Sequence, residues 1–215
     1  TGVVLAQICI GKITQWKDLA ILALNPNLQV PKAAITAVHR SDGSGTTYAF
    51  TDYLSAVNPD WKSTVGRSTS VTWPGDKTGT GIGAKGNAGV AGTVANTPGS
   101  IGYVDVIYAA GKSLGISAVK NAAGNFVFPN LQTIANAAAS ATGTPDPKDL
   151  RLHIVNAAGA QSYPIATYTY ILIYKEMSNQ PSMSKSKAEA LAKLPWWAIH
   201  DGANEAPAVI YAPPS

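Results

Sequence analysis

The stretch His39-Arg40-Ser41-Asp42-Gly43-Ser44-Gly45-Thr46-Thr47 constrains the fold most tightly. The run before it, Ala33 to Val38, alternates apolar residues and predicts a strand. After it, Phe50, Tyr53, Leu54 and Val57 fall at i, i+3, i+4 and i+7, which predicts a helix with one apolar face. A strand that hands over to a helix through a Gly/Ser turn leaves unpaired backbone N–H groups at the positive end of a helix dipole. Such a terminus binds anions. Ser44, Thr46 and Thr47 add hydroxyl groups, and Arg40 adds a planar, permanently charged fork suited to two oxygens of a phosphate or carboxylate. Asp42 alone would repel an anion. It is expected to neutralise and orient Arg40, so that the pocket selects by hydrogen-bond geometry as well as by charge. The same residues also suit ordinary helix capping with Ser44 as N-cap, and both readings stand at this level.

The rest of the chain alternates between the two periodicities. Helices are expected over Thr1 to Ile10 (ended by Gly11), from Asp18 as a cap through Leu24, and as a short piece from Asp60-Trp61. Ser70 to Trp73 predicts a short strand, and Pro74 to Gly86 a glycine-rich loop. A helix from Asn87 through Ala95, a strand over Ile101 to Val104 and a helix over Asp105 to Ala110 follow. Phe126 to Asn130 is a loop or short strand, and Leu131 to Ala141 an alanine-rich helix. Alternating elements of this kind predict an α/β architecture with crossover connections. From Tyr163 the character changes. Pro164 to Tyr174, β-branched and aromatic, is the strongest predicted strand, and Lys185 to Asp201 a helix interrupted at Pro195. The end, Ala206 to Ser215, is proline-rich. These last segments are expected to belong to a different layer or domain.

Composition narrows the function classes. A net charge of +4 is spread along 215 residues without a basic run, which argues against nucleic-acid or membrane-surface binding and suits a small anionic ligand. Cys9 is the single cysteine and sits in an apolar run, which favours a buried, inert thiol. No apolar run of about eighteen residues occurs. The chain starts with a helical pattern already under way, as a processed or truncated chain would. Acidic residues are dispersed and no His/Cys/Asp group has ligand spacing, so neither a metal nor another cofactor is expected.

Several motifs compete with the anion site. Gly81-Ile82-Gly83-Ala84-Lys85-Gly86 matches the dinucleotide pattern G-x-G-x-x-G, with Asp105 about where a ribose-binding acid belongs. It does not follow a buried strand directly, so a mobile loop leading into the Asn87 helix is the expectation. Gly111-Lys112-Ser113 lacks the leading glycine of a P-loop. Gly43-Ser44-Gly45 departs from the nucleophile elbow G-x-S-x-G, since Asp42 is not Gly, and Ser44 with His39 would be the nucleophile and base of a serine hydrolase or phosphatase-like enzyme. Ser182-Met183-Ser184-Lys185 fits S-x-x-K in a polar segment read as a solvated loop. Five Trp and nine Tyr are scattered among apolar runs, which assigns most of them to the core; Trp196-Trp197 suits an interface or a helix packed on a sheet.

Taken in order, the segments resemble the periplasmic phosphate-binding family, the substrate-binding proteins of bacterial phosphate ABC transporters. The resemblance runs through Gly11-Lys12-Ile13-Thr14-Gln15-Trp16, Leu24-Asn25-Pro26, Val38 to Thr46 and Thr51-Asp52-Tyr53-Leu54. It continues through Trp61-Lys62, Trp73-Pro74, Lys85-Gly86-Asn87, Thr97 to Val104, Tyr163-Pro164-Ile165 and Tyr211-Ala212-Pro213. It implies an α/β, periplasmic-binding-protein-like (type II) fold, here as one complete lobe (1–163) and a hinge-crossing strand with part of a second lobe (164–215). It further implies inorganic phosphate bound by Arg40, Ser44, Gly45 and Thr46 with Asp42 bracing Arg40, no catalysis, an exported location, and delivery to a membrane permease. The family has roughly a lobe more chain before the position of Thr1, carrying the rest of the phosphate site and its acidic acceptor, and usually continues past Pro214. A second chain is one expected source of that missing half. Self-assembly through exposed strand edges of an incomplete lobe is the remaining alternative.

Overall fold

The computed structural model describes residues 1–140 and 149–213. Its helices are α1 (Gly2–Ile10), α2 (Leu19–Leu22), α3 (Gly45–Val57), α4 (Pro59–Thr64), α5 (Pro74–Thr78), α6 (Gly86–Asn96), α7 (Val106–Ala110), α8 (Leu131–Ala139) and α9 (Lys185–Ile199). Its strands are β1 (Thr36–Arg40), β2 (Gly81–Ala84), β3 (Ser100–Gly102), β4 (Val119–Lys120) and β5 (Phe126–Val127). Two 3₁₀ segments, Met177–Asn179 and Asp201–Val209, flank α9. Ala141, the expected end of the alanine-rich helix, and Pro214-Ser215 lie outside the described residues.

Helix ends follow local chemistry. Thr1, Asp18, Asn58, Asn130 and Ser184 each cap the helix that follows with a side-chain oxygen. Gly11 closes α1 at φ +84°, where it returns N–H bonds to the carbonyls of Gln7 and Ile8. The amphipathic run after the opening motif becomes α3 and buries Phe50, Tyr53 and Leu54 against α1, Trp61 and Trp73. Tyr53 and Trp61 are fully buried, and their polar atoms are satisfied, Tyr53 donating to the Lys120 carbonyl and Trp61 to that of Gly66. Cys9 joins this cluster, and burial pushes its thiol up to about 12.

β1 lies between two parallel neighbours in the order β2-β1-β3. With α6 carrying the chain from β2 to β3, the loops after β1, β2 and β3 open at the same edge of the sheet. That edge, outside the carboxyl ends of parallel strands where the order reverses, is where open α/β sheets bind ligands.

Five expectations are corrected here. The glycine-rich loop contains α5 and β2, so Gly81-Ile82-Gly83-Ala84 is the strand itself rather than a mobile turn after one. Its glycines have packing reasons: a Cβ on Gly81 would collide with Asp76, and one on Gly83 would press on Ser41 and His39. Ser70 to Trp73 forms no strand, because Pro74 starts α5 and Trp73, its N-cap, turns inward to stack on His39 at 4.6 Å. α9 continues through Pro195, giving up the hydrogen bond a proline nitrogen cannot make. Pro164 to Tyr174, the strongest strand by propensity, carries no strand either. Its start is anchored by Tyr163 N–H to the Thr133 carbonyl and Asn156 N–H to the Pro164 carbonyl, Tyr168 packs beside Ala137, Ile154 and Ala166, and Tyr170 accepts the Leu152 N–H on its hydroxyl; from Ile171 the side chains are exposed, Leu172 by 92%. β-propensity measures fit to a half-buried pleated surface, and no neighbouring strand supplies that surface among the described residues. Trp196 and Trp197 are exposed rather than packed on a sheet.

Candidate functional site

Arg40 is the last residue of β1, and its side chain is 11% exposed. Its guanidinium is held bidentately by Asp42, Nε to Oδ1 at 2.7 Å and Nη2 to Oδ2 at 2.6 Å. Gly86, at the start of α6, donates its N–H to Asp42 Oδ1 at 3.1 Å. These bonds, the guanidinium first and the amide second, hold the Asp42 carboxyl well below the usual carboxylate range. Asp42 thus orients Arg40 as the residue types imply, and leaves Nη1 turned toward Asn87 Oδ1 at 3.4 Å.

Ser44 caps α3 in extended conformation, its Oγ accepting from the N–H groups of Thr46 at 3.1 Å and Thr47 at 3.3 Å. Two of the amides expected to be free are therefore already served, and the capping reading and the anion-site reading share one geometry. Among the described residues, the Gly45 N–H has no protein acceptor. Gly45 has no positive φ, and a Cβ added there would meet nothing within 4 Å. Neither backbone conformation nor packing calls for glycine; the space a Cβ would occupy there is open. Arg40, Ser44, Gly45 and Thr46 line one cavity of about 1060 Å³, of which a tetrahedral oxyanion would fill only a corner.

Sequence reasoning missed the second ring of residues. Tyr103, just after β3, receives the Arg40 backbone N–H on its hydroxyl at 3.1 Å, shares a 2.7 Å hydrogen bond with Thr47, and stacks on Phe50 at 4.4 Å. Burial raises the pKa of that hydroxyl, which keeps it neutral. Asp105, at the N-cap of α7, makes no capping bond with its side chain. Its Oδ1 accepts from Thr46 Oγ1 at 3.1 Å, and its Oδ2 from Asn87 Nδ2 at 2.8 Å and Tyr211 OH at 3.4 Å. The placement of Asp105 relative to the glycine pattern was the only trace of it in the sequence, and it pointed to a ribose rather than to Thr46.

The hydrolase arrangement is not assembled. Ser44 Oγ faces the first turn of α3, whereas His39 directs Nε2 to Asp76 Oδ1 at 2.8 Å and Nδ1 to the Arg40 carbonyl at 3.1 Å. No hydrogen bond joins the two side chains among the described residues. Nor does any group of three or more potential metal-ligating side chains occur among them. No described helix is long and apolar enough to cross a membrane.

The chain is similar along almost its entire length to curated proteins named phosphate-binding protein PstS. It is 42% identical to that of Xylella fastidiosa, covering 99% of this chain and 56% of the relative. It is 40% identical to that of Haemophilus influenzae (99% and 60%) and 37% identical to that of Methanocaldococcus jannaschii (93% and 53%). The chain thus spans little more than half the length of these relatives. Its fold is similar, at a TM-score of 0.62 and 22% identity, to a high affinity periplasmic phosphate-binding protein solved bound with phosphate, covering 98% of this chain and 60% of that one. The PBP superfamily domain matches residues 3–194, and the chain belongs to that superfamily.

Proposed function

We propose that this chain carries the arginine and amide half of a phosphate site in the substrate-binding component of an ABC-type phosphate importer. One observation carries the reading: a guanidinium locked by Asp42 at the end of β1, beside a helix terminus whose Gly45 N–H has no protein acceptor among the described residues. The names of the relatives supply the ligand. Arg40 and the Gly45 amide would donate to phosphate oxygens, with the hydroxyls of Ser44 and Thr46 beside them and Asp42 holding Arg40 in register. Dipoles and one neutralised cation suit a dehydrated oxyanion better than a cluster of free charges, since a low-dielectric pocket strengthens each aligned hydrogen bond.

On this reading residues 1–163 form one lobe and residues 164–215 belong to the other. The rest of the site comes from chain preceding this stretch in the longer relatives, or from a second chain. The protein works outside the cytoplasmic membrane and passes phosphate to a membrane permease when the lobes close. It binds without turnover, because the Ser44 and His39 side chains are committed elsewhere.

Calorimetry with phosphate and with sulfate tests the reading, on this chain and on a version extended at its N-terminus to the length of the relatives. The expected result is phosphate binding that tightens strongly in the extended form and weakens with Arg40→Ala. An extended form with Arg40 intact that ignores phosphate would overturn the proposal.

A further inference from the structure

A single polar contact ties the C-terminal part of the chain to the site. Among the described residues, the Tyr211 hydroxyl donating to Asp105 Oδ2 at 3.4 Å is the one hydrogen bond or ion pair that joins residues 171–213 to residues 1–170. Burial, and after it the Asp105 charge, raises the pKa of that hydroxyl, so Tyr211 keeps its proton and is the donor. The acceptor is fixed from the other side. Asp105 Oδ1 accepts from Thr46 Oγ1 at 3.1 Å and Oδ2 from Asn87 Nδ2 at 2.8 Å, while Asn87 also faces Arg40 Nη1. The donor is aimed by its own segment. The Tyr211 N–H bonds to the Ala206 carbonyl at 3.0 Å, and Ile210 before it ends the 3₁₀ segment after α9 in a left-handed backbone, φ +58°. A β-branched residue rarely takes that conformation; here it turns the chain so that residues 210–213 line the same cavity as Arg40 and Gly45.

We infer that Tyr211 is a positioning residue for ligand retention: its hydroxyl latches the C-terminal segment onto Asp105, and the latch tightens when that segment closes over bound phosphate. The inference rests on the phosphate reading above and on its assignment of residues 164–215 to the second lobe. An O–H···O⁻ bond is strongest at about 2.5–2.7 Å, so a contact of 3.4 Å is made but loose, and a shift of the segment by about 1 Å draws it tight. Tyr211 need not touch the anion for this. A bond that reaches full strength only in the closed form slows escape of the ligand and leaves the encounter rate alone.

Stopped-flow kinetics with inorganic phosphate tests the latch on the chain extended at its N-terminus to the length of the relatives. The variants are Tyr211→Phe, Asp105→Ala and the two combined, each checked for folding by circular dichroism. Tyr211→Phe takes one oxygen from a half-exposed ring and is expected to raise the dissociation rate by about tenfold, the loss of one hydrogen bond to a charged group, with the association rate unchanged. Asp105→Ala weakens binding by itself; in that background Tyr211→Phe should add less than about twofold, because its partner is gone. A ring that only fills space would behave alike in both backgrounds. An unchanged dissociation rate in Tyr211→Phe, or an effect that persists undiminished in Asp105→Ala, would overturn the inference and leave the phosphate reading standing. If Asp105→Ala does not fold, Tyr211→Phe decides alone, and a change carried by the association rate would overturn the latch. An extended wild-type chain that binds no phosphate would overturn the phosphate reading and this inference with it.

Discussion

Residues 33–47 and residues 163–174 look alike in the sequence, each a β-branched, apolar run beside residues that matter to the resemblance. Their structures diverge. The first becomes β1, paired on both edges, and delivers Arg40 to the carboxyl end of the sheet. The second stays irregular, with Leu172 and Tyr174 facing outward. The two helices that follow repeat the contrast, for α3 buries its apolar face whereas α9 leaves Trp196 and Trp197 exposed. Apolar patterning states a demand for burial. Only a neighbour with the right edge or face meets it, and a run without that neighbour takes no regular form.

Thiol chemistry is the severest way to break this contrast. With burial pushing the Cys9 thiol up to about 12, its thiolate fraction near pH 8 is about a thousandfold below that of a free cysteine. In a Leu172→Cys variant, peptide mapping after alkylation should show the introduced thiol modified at least that much faster than Cys9. Comparable rates would place the two regions on equal footing. The same shift has a sign in stability. Between the pKa of an unfolded thiol and about 12, only the unfolded chain ionises, so the folded state is progressively disfavoured as pH rises through that window.

Truncation of aromatic residues should separate the regions next. Trp61→Ala removes a fully buried ring from the cluster under α3, and chemical denaturation should register a loss of about 3–5 kcal/mol. Arg40→Ala acts on function rather than on the core, and should weaken phosphate binding in the extended protein by about 2–3 kcal/mol, read by calorimetry. Ser44→Ala strips the cap from α3 and should cost about 1 kcal/mol in the same denaturation experiment. Trp197→Ala marks the lower end. Half exposed on α9, it should change stability by no more than about 0.5 kcal/mol, and a loss like that of Trp61 would mean that something covers α9 in solution.

Local chemistry made much of the site legible before any coordinates. Ser44, Gly45 and the period of Phe50, Tyr53, Leu54 and Val57 mark a helix start whose cap and apolar face both formed. Arg40 and Asp42, two residues apart, are close enough in the chain for their pairing to be read directly, and they pair bidentately. Gly86, Asn87, Tyr103 and Asp105 were not legible as partners of that pair. They lie 44 to 63 residues away from the atoms they contact where those contacts reach Asp42, Arg40 and Thr46, and nothing local announces which strand end they will share. The G-x-G-x-x-G pattern misled for the same reason, since close packing of Gly81 against α5 and of Gly83 against His39 and Ser41 selects glycine as readily as a nucleotide does.

The sequence by itself determined the α/β character, the capped turn after β1 and the Arg40–Asp42 pair, because each depends on interactions within a few residues of chain. Tertiary structure alone decided that β1 would be the central strand, that Asp105 would take the Thr46 proton rather than cap its own helix, and that residues 164–174 would form no strand. Those outcomes turn on which distant backbone edge or side chain occupies a given volume. Hydrogen-bond direction and strand pairing are properties of that shared space.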